Sequence, residues 1–220
     1  MAAAGTRRLI VEPGLFAYVP IPEKRRVRPG AERPYSVFED GVSALGGALP
    51  DWLLSRHAHV DPDFEHLTYG HPSARARRIR ACGCGDVLAF YSGLREVDRD
   101  GALLYALIGL LVVEEIVDAA SVPVERYGEN AHTRRDPLDP TDVIVRGRPG
   151  ESGRLRRCLP FCEYRDGAYR VRSSLLEEWG GISSRNGFVV RAPWLISVGN
   201  PKGFLEWFQS HEPSLVSRNN

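Results

Sequence analysis

Leu103 to Val117 constrains the fold more than any other stretch: it is almost continuously apolar, rich in leucine and β-branched residues, and carries Gly109 inside it. Such a run must be covered on all sides, because apolar surface left in water is penalised. A glycine within a strand marks a bend or a close backbone approach. The expected element is therefore a long, bent central strand, although a buried helix shares the same apolarity and periodicity alone does not separate the two. The longest apolar stretch, Ala102 to Val113, falls short of the roughly 20 residues that cross a bilayer, so no membrane span is expected.

Other segments supply partners for that strand. Asp86 to Tyr91 follows Gly83 and Gly85 as a second buried strand, and Val143 to Val145, Ala168 to Val171 and Phe188 to Val190 are short later ones. Leu9 to Val11 and Leu15 to Val19 are strand-like runs closed by Pro20-Ile21-Pro22, after which a basic, Pro-rich loop extends through Pro34. Helices are few. Gly41 to Leu54 is irregular or a short helix, and Ser73 can cap a helix running to about Ala81. Asn200 and Pro201 open a final helix, Lys202 to Gln209, whose Phe204, Leu205, Trp207 and Phe208 can pack inward. With no internal repeat, the expectation is one α+β domain over residues 1–220, dominated by strands.

Composition narrows the function classes. A chain of 220 residues with 43% hydrophobic and 26% charged content is long enough to bury a core and is not disordered. The net charge of +1 gives no global pull toward nucleic acid or membrane. Of 29 basic residues 27 are arginine, Lys24 and Lys202 being the two lysines. Arginine presents a planar fork suited to phosphates and base edges, while a GC-rich genome or thermal adaptation yields the same bias. Arg7 and Arg8 interrupt the small apolar start, and four cysteines do not make a disulfide scaffold, so a reducing, cytoplasmic setting is expected.

Four constellations can carry chemistry. In His57-Ala58-His59-Val60-Asp61-Pro62-Asp63, alternate residues of an extended chain face one way, so His57, His59, Asp61 and Asp63 can converge. Nitrogen and oxygen ligands of this kind suit zinc, manganese or iron. The pattern resembles the His-x-His-x-Asp-His signature of metallo-β-lactamase-like hydrolases, with His132 and His211 as distant ligands, but Pro62 stands where that family has its next histidine. The alternative is a loop whose carboxylates accept backbone hydrogen bonds. Cys82 and Cys84 with Cys158 and Cys162 can hold a structural zinc, or are small buried residues near strands.

Arginines cluster twice. Arg75, Arg77, Arg78 and Arg80 fall within one short segment, and Arg146, Arg148, Arg154, Arg156 and Arg157 lie in a Gly- and Pro-containing stretch that suggests a flexible loop. Such clusters lay guanidinium groups along phosphates or pair with distant acids. Acidic residues gather around the central strand: Glu96, Asp98, Asp100, Glu114, Glu115 and Asp118. Lastly, Gly85-Asp86 enters the apolar, aromatic strand that ends at Tyr91, with Ser92-Gly93-Leu94-Arg95 beyond.

That Gly-Asp turn and strand resemble the PUA-like superfamily, which includes EVE, ASCH and YTH domains; Leu107 to Val113 is similar to their following strand. A wider resemblance is to the nucleotide modification associated domain 3 family. It rests on Tyr18-Val19-Pro20-Ile21-Pro22-Glu23, His59-Val60-Asp61-Pro62-Asp63, and Gly85-Asp86 leading to Phe90, Gly93 and Arg95. Trp179-Gly180-Gly181 and Gly187-Phe188-Val189 extend it over most of the chain. Ala89 and Ser92 lighten the strand relative to the family pattern, and the cysteine pairs have no counterpart in it.

The resemblance implies a PUA-like, strongly bent mixed sheet or small barrel with flanking helices and terminal elaborations, and a role in handling modified or modifiable nucleotides. It supplies no catalytic residues. The leading expectation is a module that binds DNA or RNA and reads or presents a base. Tyr69, Arg75, Arg78, Tyr91, Arg95, Arg148, Arg154 and Arg156 are its candidate contacts, and Trp52, Trp179 and Trp194 are further candidate stacking walls. The alternative is a metal-dependent or acid/base enzyme acting on a nucleotide through His57, His59, Asp61 and Asp63. A third possibility is an accessory subunit whose arginines meet an acidic protein partner. A divalent metal or structural zinc is the only cofactor suggested, and neither is firmly implied.

Overall fold

The computed structural model describes residues 2–3, 9–11, 14–72, 76–97, 103–189 and 195–220. Its strands are β1 (Ala2–Ala3), β2 (Leu9–Val11), β3 (Leu15–Phe16), β4 (Ile21–Pro22), β5 (Ala58–His59), β6 (Thr68–His71), β7 (Val87–Glu96), β8 (Leu104–Asp118), β9 (Val143–Gly147), β10 (Gly153–Pro160), β11 (Cys162–Arg165), β12 (Ala168–Val171) and β13 (Leu215–Val216). The helices are α1 (Glu39–Ser43), α2 (Asp51–Leu54), α3 (Arg77–Arg80), α4 (Ser173–Glu178) and α5 (Pro201–Ser210).

The apolar run is the central strand. β8 pairs antiparallel with β7 from Leu104 to Val112, with β10 around Ala106–Leu110, and with β9 from Val113 to Asp118. Register shifts occur between Phe90 and Tyr91, between Arg154 and Leu159, and between Val113 and Glu115. These irregularities bend the strand so that it can serve two partners on one edge. At Gly109 a Cβ would stand 2.5 Å from the Phe64 ring and 2.6 Å from the Gly153 carbonyl. The close approach of Phe64 and β10 thus depends on a missing side chain.

The result is an α+β fold built on one mainly antiparallel sheet, with β6 at one margin and β1 at the other. Short links of one or two residue pairs join β10 to β3, β3 to β2 and β2 to β7, and the sheet does not form a regular closed barrel. One core holds Trp179, Tyr18, Tyr35, Tyr91, Phe64, Phe90 and Phe161, all fully buried. A small satellite core of Ala119, Val122 and Ile144, covered by Val117, Tyr127 and Leu138, lies beneath the long connection from β8 to β9.

Local expectations and structure part company in places. Ser73 lies outside the described residues, and the helical segment there is only Arg77–Arg80. The Val145–Cys158 stretch is not a flexible loop: it is β9, a turn and β10, and β10 pairs with β8, β3 and β13. Leu15–Val19 is a strand only at Leu15–Phe16. Phe188 makes an isolated bridge to Arg170 rather than opening a strand, because Asn186 and Gly187 just before it turn the chain with positive φ; Val190 lies outside the described residues. The final helix forms as expected, with the Asn200 side chain accepting the Gly203 N–H at 3.2 Å and Phe204, Trp207 and Phe208 buried. Among the described residues no helix is long and apolar enough to cross a membrane.

Candidate functional site

Three chain segments meet around Asp61. The ribbon β4–β5 sets Ile21 opposite His59, and the Glu23 N–H donates to the His57 carbonyl at 2.9 Å; this fixes Glu23 beside His59. β6 hydrogen-bonds to β9 at the sheet margin and brings Gly70 toward Asp61. The β8–β9 connection, held down by the satellite core, supplies Asn130, His132, Arg134, Arg135 and Asp142.

The geometry at this junction is ordered atom by atom. His59 Nδ1 lies 2.6 Å from Glu23 Oε2, and His132 Nδ1 lies 2.5 Å from Asp142 Oδ2. Each imidazole therefore has one nitrogen held by a buried carboxylate, which leaves Nε2 as the nitrogen it can offer. The rings meet edge to face with centroids 5.2 Å apart. Asp61 Oδ1 accepts the Gly70 N–H at 2.7 Å and an Asn130 amide proton at 3.2 Å. Its Oδ2 lies 3.7 Å from His132 Nε2. One ligand-capable atom from each of His59, Asp61 and His132 falls within 4.8 Å of the other two. Arg135 lies on the outer side of both rings, 3.3 Å from His132 Nδ1 and 3.5 Å from His59 Nδ1, and pairs with Asp142 at 3.4 Å and Glu23 at 3.5 Å.

Glu23 is almost fully enclosed. Burial alone would raise its pKa, but the His59 hydrogen bond and charge, the Arg25 N–H and the Arg135 guanidinium outweigh burial and hold the carboxyl down to about 2. Asn130 is itself fixed, donating to Thr68 Oγ1 at 3.2 Å and accepting the His132 N–H at 2.8 Å. At Gly70 a Cβ would stand 2.5 Å from Asn130 Oδ1 and against the His132 ring. Gly70→Ala is therefore expected to displace the His132 loop and cost about 1–3 kcal/mol of stability through overpacking, measurable by urea unfolding.

A second histidine–carboxylate group, Asp63, Glu65 and His66, is close by. Asp63 is wholly buried and saturated: it takes Arg134 Nη2 at 2.6 Å, His66 Nδ1 at 3.1 Å, Asn219 Nδ2 at 3.0 Å and the Glu65 and His66 N–H groups. This is a structural knot with no valence left for a ligand.

The candidate string thus divides. His59 and Asp61 converge with His132, Asp63 turns into the Arg134 pair, and His57 is exposed and not part of the cluster. The strand ends at His59, so regular alternation does not run through all four residues. His211 sits against Trp207 on α5. Glu23, Asn130, Arg135 and Asp142 were not singled out by sequence reasoning for this site; the only signal was Glu23 within the resembling N-terminal motif.

The candidate nucleic-acid contacts are scattered. Tyr69 is buried against Phe90, its hydroxyl 3.0 Å from His71 Nδ1, and Tyr91 is buried among Tyr105 and Phe161. Neither presents a ring face to solvent. Arg154 is buried 5.0 Å over the Phe16 ring, where burial lowers its pKa to about 10. Arg148 pairs with Glu151 at 3.0 Å, Arg80 pairs with Asp118, and Arg146 is held between Glu115 and Glu129. Arg78 is exposed and donates to the Leu195 carbonyl at 2.7 Å, while Arg95 and Arg156 are exposed. Trp179 is core, Trp52 is 60% exposed, and Arg75 and Trp194 lie outside the described residues. Among the described residues, the groups able to hold a metal contain no cysteine; Cys158 is buried, which pushes its thiol up to about 12.

Fold and site together define an α+β protein with a buried histidine–carboxylate centre where a sheet margin meets two long connections. The family model for nucleotide modification associated domain 3 matches residues 1–197, and the chain belongs to that family. No curated protein and no solved structure matches it.

Proposed function

We propose that this chain is an enzyme of nucleotide modification whose chemistry takes place at His59, Asp61 and His132, with the nucleotide presented as part of a nucleic acid. One observation carries the reading. Two imidazoles and a carboxylate, groups that can move protons or bind a cofactor, bring one ligand-capable atom each within 4.8 Å of the other two, while Glu23, Asp142, Gly70 and Asn130 hold one further atom of each group. Orientation of this kind serves a reacting centre more than it serves packing, which a hydrophobic trio would do as well. The family's tie to nucleotide modification supplies the substrate class.

The exposed guanidinium groups of Arg78, Arg95 and Arg156 support a polymeric substrate, since phosphates are what such forks hold. Binding to single- and double-stranded DNA and RNA at low salt should fall as salt rises, with Arg95→Ala and Arg156→Ala each flattening the salt dependence by about one charge.

The direct test is chemical. The chain is produced in bacteria, and total DNA and RNA are digested to nucleosides and resolved by mass spectrometry. A nucleoside of altered mass is expected with the wild-type chain and absent with Asp61→Asn or His132→Gln. Nucleoside profiles indistinguishable from those of cells without the protein, alongside retained nucleic-acid binding, would replace the enzyme reading with that of a binding module.

A further inference from the structure

We infer that His59 Nε2, His132 Nε2 and Asp61 Oδ2 are the protein ligands of a single divalent first-row transition-metal ion. The inference rests on the reading that this cluster is the working centre and names the cofactor that centre takes.

Three independent features point to it. The first is donor chemistry: two imidazole nitrogens and one carboxylate oxygen suit zinc, iron, manganese or cobalt, and leave the remaining coordination positions to water or substrate. The second is the surrounding shell. Metal-bound histidines characteristically give their other ring nitrogen to a carboxylate, which fixes the tautomer and raises ligand basicity. Here both do so, through Glu23 at 2.6 Å and Asp142 at 2.5 Å. The carboxylate ligand is fixed in the same manner, with Oδ1 taken by Gly70 and Asn130 and Oδ2 left toward His132. The third is charge. Three carboxylates, Glu23, Asp61 and Asp142, gather in a site whose side chains are about one-tenth exposed or less, and the Arg135 guanidinium pairs with two of them, Glu23 and Asp142. A divalent ion bound between the imidazoles would supply further positive charge to this carboxylate-rich site and let both rings serve as neutral ligands. The neighbouring Asp63 group differs, since its buried carboxylate is already taken up by Arg134, His66 and Asn219.

The ion would orient and polarise a water or substrate group in its open positions. The protein's part is to hold three ligands rigidly on one side, with Arg135 behind the rings and Gly70 allowing close approach of β6.

The test uses the full, untagged chain, stripped with chelator and titrated separately with Co(II), Mn(II), Zn(II) and, without oxygen, Fe(II). Saturation at one equivalent, a visible Co(II) d–d spectrum and a melting temperature that climbs with metal concentration are expected. Glu23→Gln should weaken binding by about 10–100-fold, and Asp61→Asn and His132→Gln, which remove a ligand atom, should each weaken it further. A melting curve of each variant without metal shows whether it is folded. Glu23→Gln, which removes no ligand, keeps the test open should a ligand variant fail to fold. The inference is overturned if the folded wild-type chain takes up none of the four metals, or if a folded Asp61→Asn or His132→Gln chain binds as tightly as wild type. Metal binding without altered nucleosides would leave this inference standing and remove the proposed enzyme activity. Altered nucleosides from metal-free protein would do the reverse.

Discussion

Asp63→Ala is expected to cost about 3–5 kcal/mol, the range for leaving one member of a buried ion pair uncompensated. Arg134 would keep its Gly128 carbonyl partners at 2.6 and 2.9 Å, but its charge would be buried without a counter-charge. The Glu65 and His66 N–H groups and the Asn219 amide would lose their acceptor as well. Urea unfolding of wild type and variant measures the difference, and a loss below 1 kcal/mol would show that the pair is open to water. The same carboxylate makes the fold acid-sensitive. Burial would raise its pKa, but His66 and Arg134 together bring it from 3.8 to about 2. A depressed folded-state value means that the stabilisation is present above the unfolded value and is lost as pH falls from about 4 toward 2. Asp63→Asn should remove that part of the acid transition.

Asp142→Asn is the second large effect, and it is functional rather than structural. The asparagine Oδ1 can still accept a hydrogen bond from His132 Nδ1–H, so the ring keeps its place, but the negative charge that makes the imidazole a better ligand is gone. Metal affinity should drop about 10–100-fold with little change in metal-free melting temperature, and Asp142→Glu should recover part of it. Equal affinity in Asp142→Asn and wild type would mean that the short contact at His132 plays no part in holding an ion.

The central strand was legible because its signal is local: a continuous apolar run and one glycine dictate a covered, bent element whatever surrounds them. The final helix was legible for a similar reason, since Asn200 and Pro201 declare its start. β10 was not, because Arg154, Arg156 and Arg157 read as a solvated loop. In the structure Arg154 is buried over Phe16 while Arg156 and Arg157 are both exposed, so buried and exposed positions do not alternate along this strand. β6 was missed because Thr68-Tyr69-Gly70-His71 is buried at every position and so shows no alternation.

The candidate site was half visible. His59 and Asp61 stood out by spacing, and His132 was noticed as a distant ligand. Their carboxylate partners were not, because Glu23 reaches His59 only through the β4–β5 pairing, and Asp142 reaches His132 only because the satellite core folds the β8–β9 connection back on itself. The arginine clusters are deceptive in the opposite way. Much of the positive charge that looked free in sequence is paired with the acidic residues of the central strand, as in Arg80 with Asp118 and Arg146 with Glu115.

The most direct measurement is anomalous diffraction from crystals of the full chain grown with Co(II) or Mn(II). One strong peak is predicted at the point shared by His59 Nε2, Asp61 Oδ2 and His132 Nε2, about 2.0–2.2 Å from each, with Glu23 and Asp142 still on the two Nδ1 atoms. A peak at the Asp63–Glu65–His66 group alone, or none at the shared point in crystals saturated with metal, would contradict it.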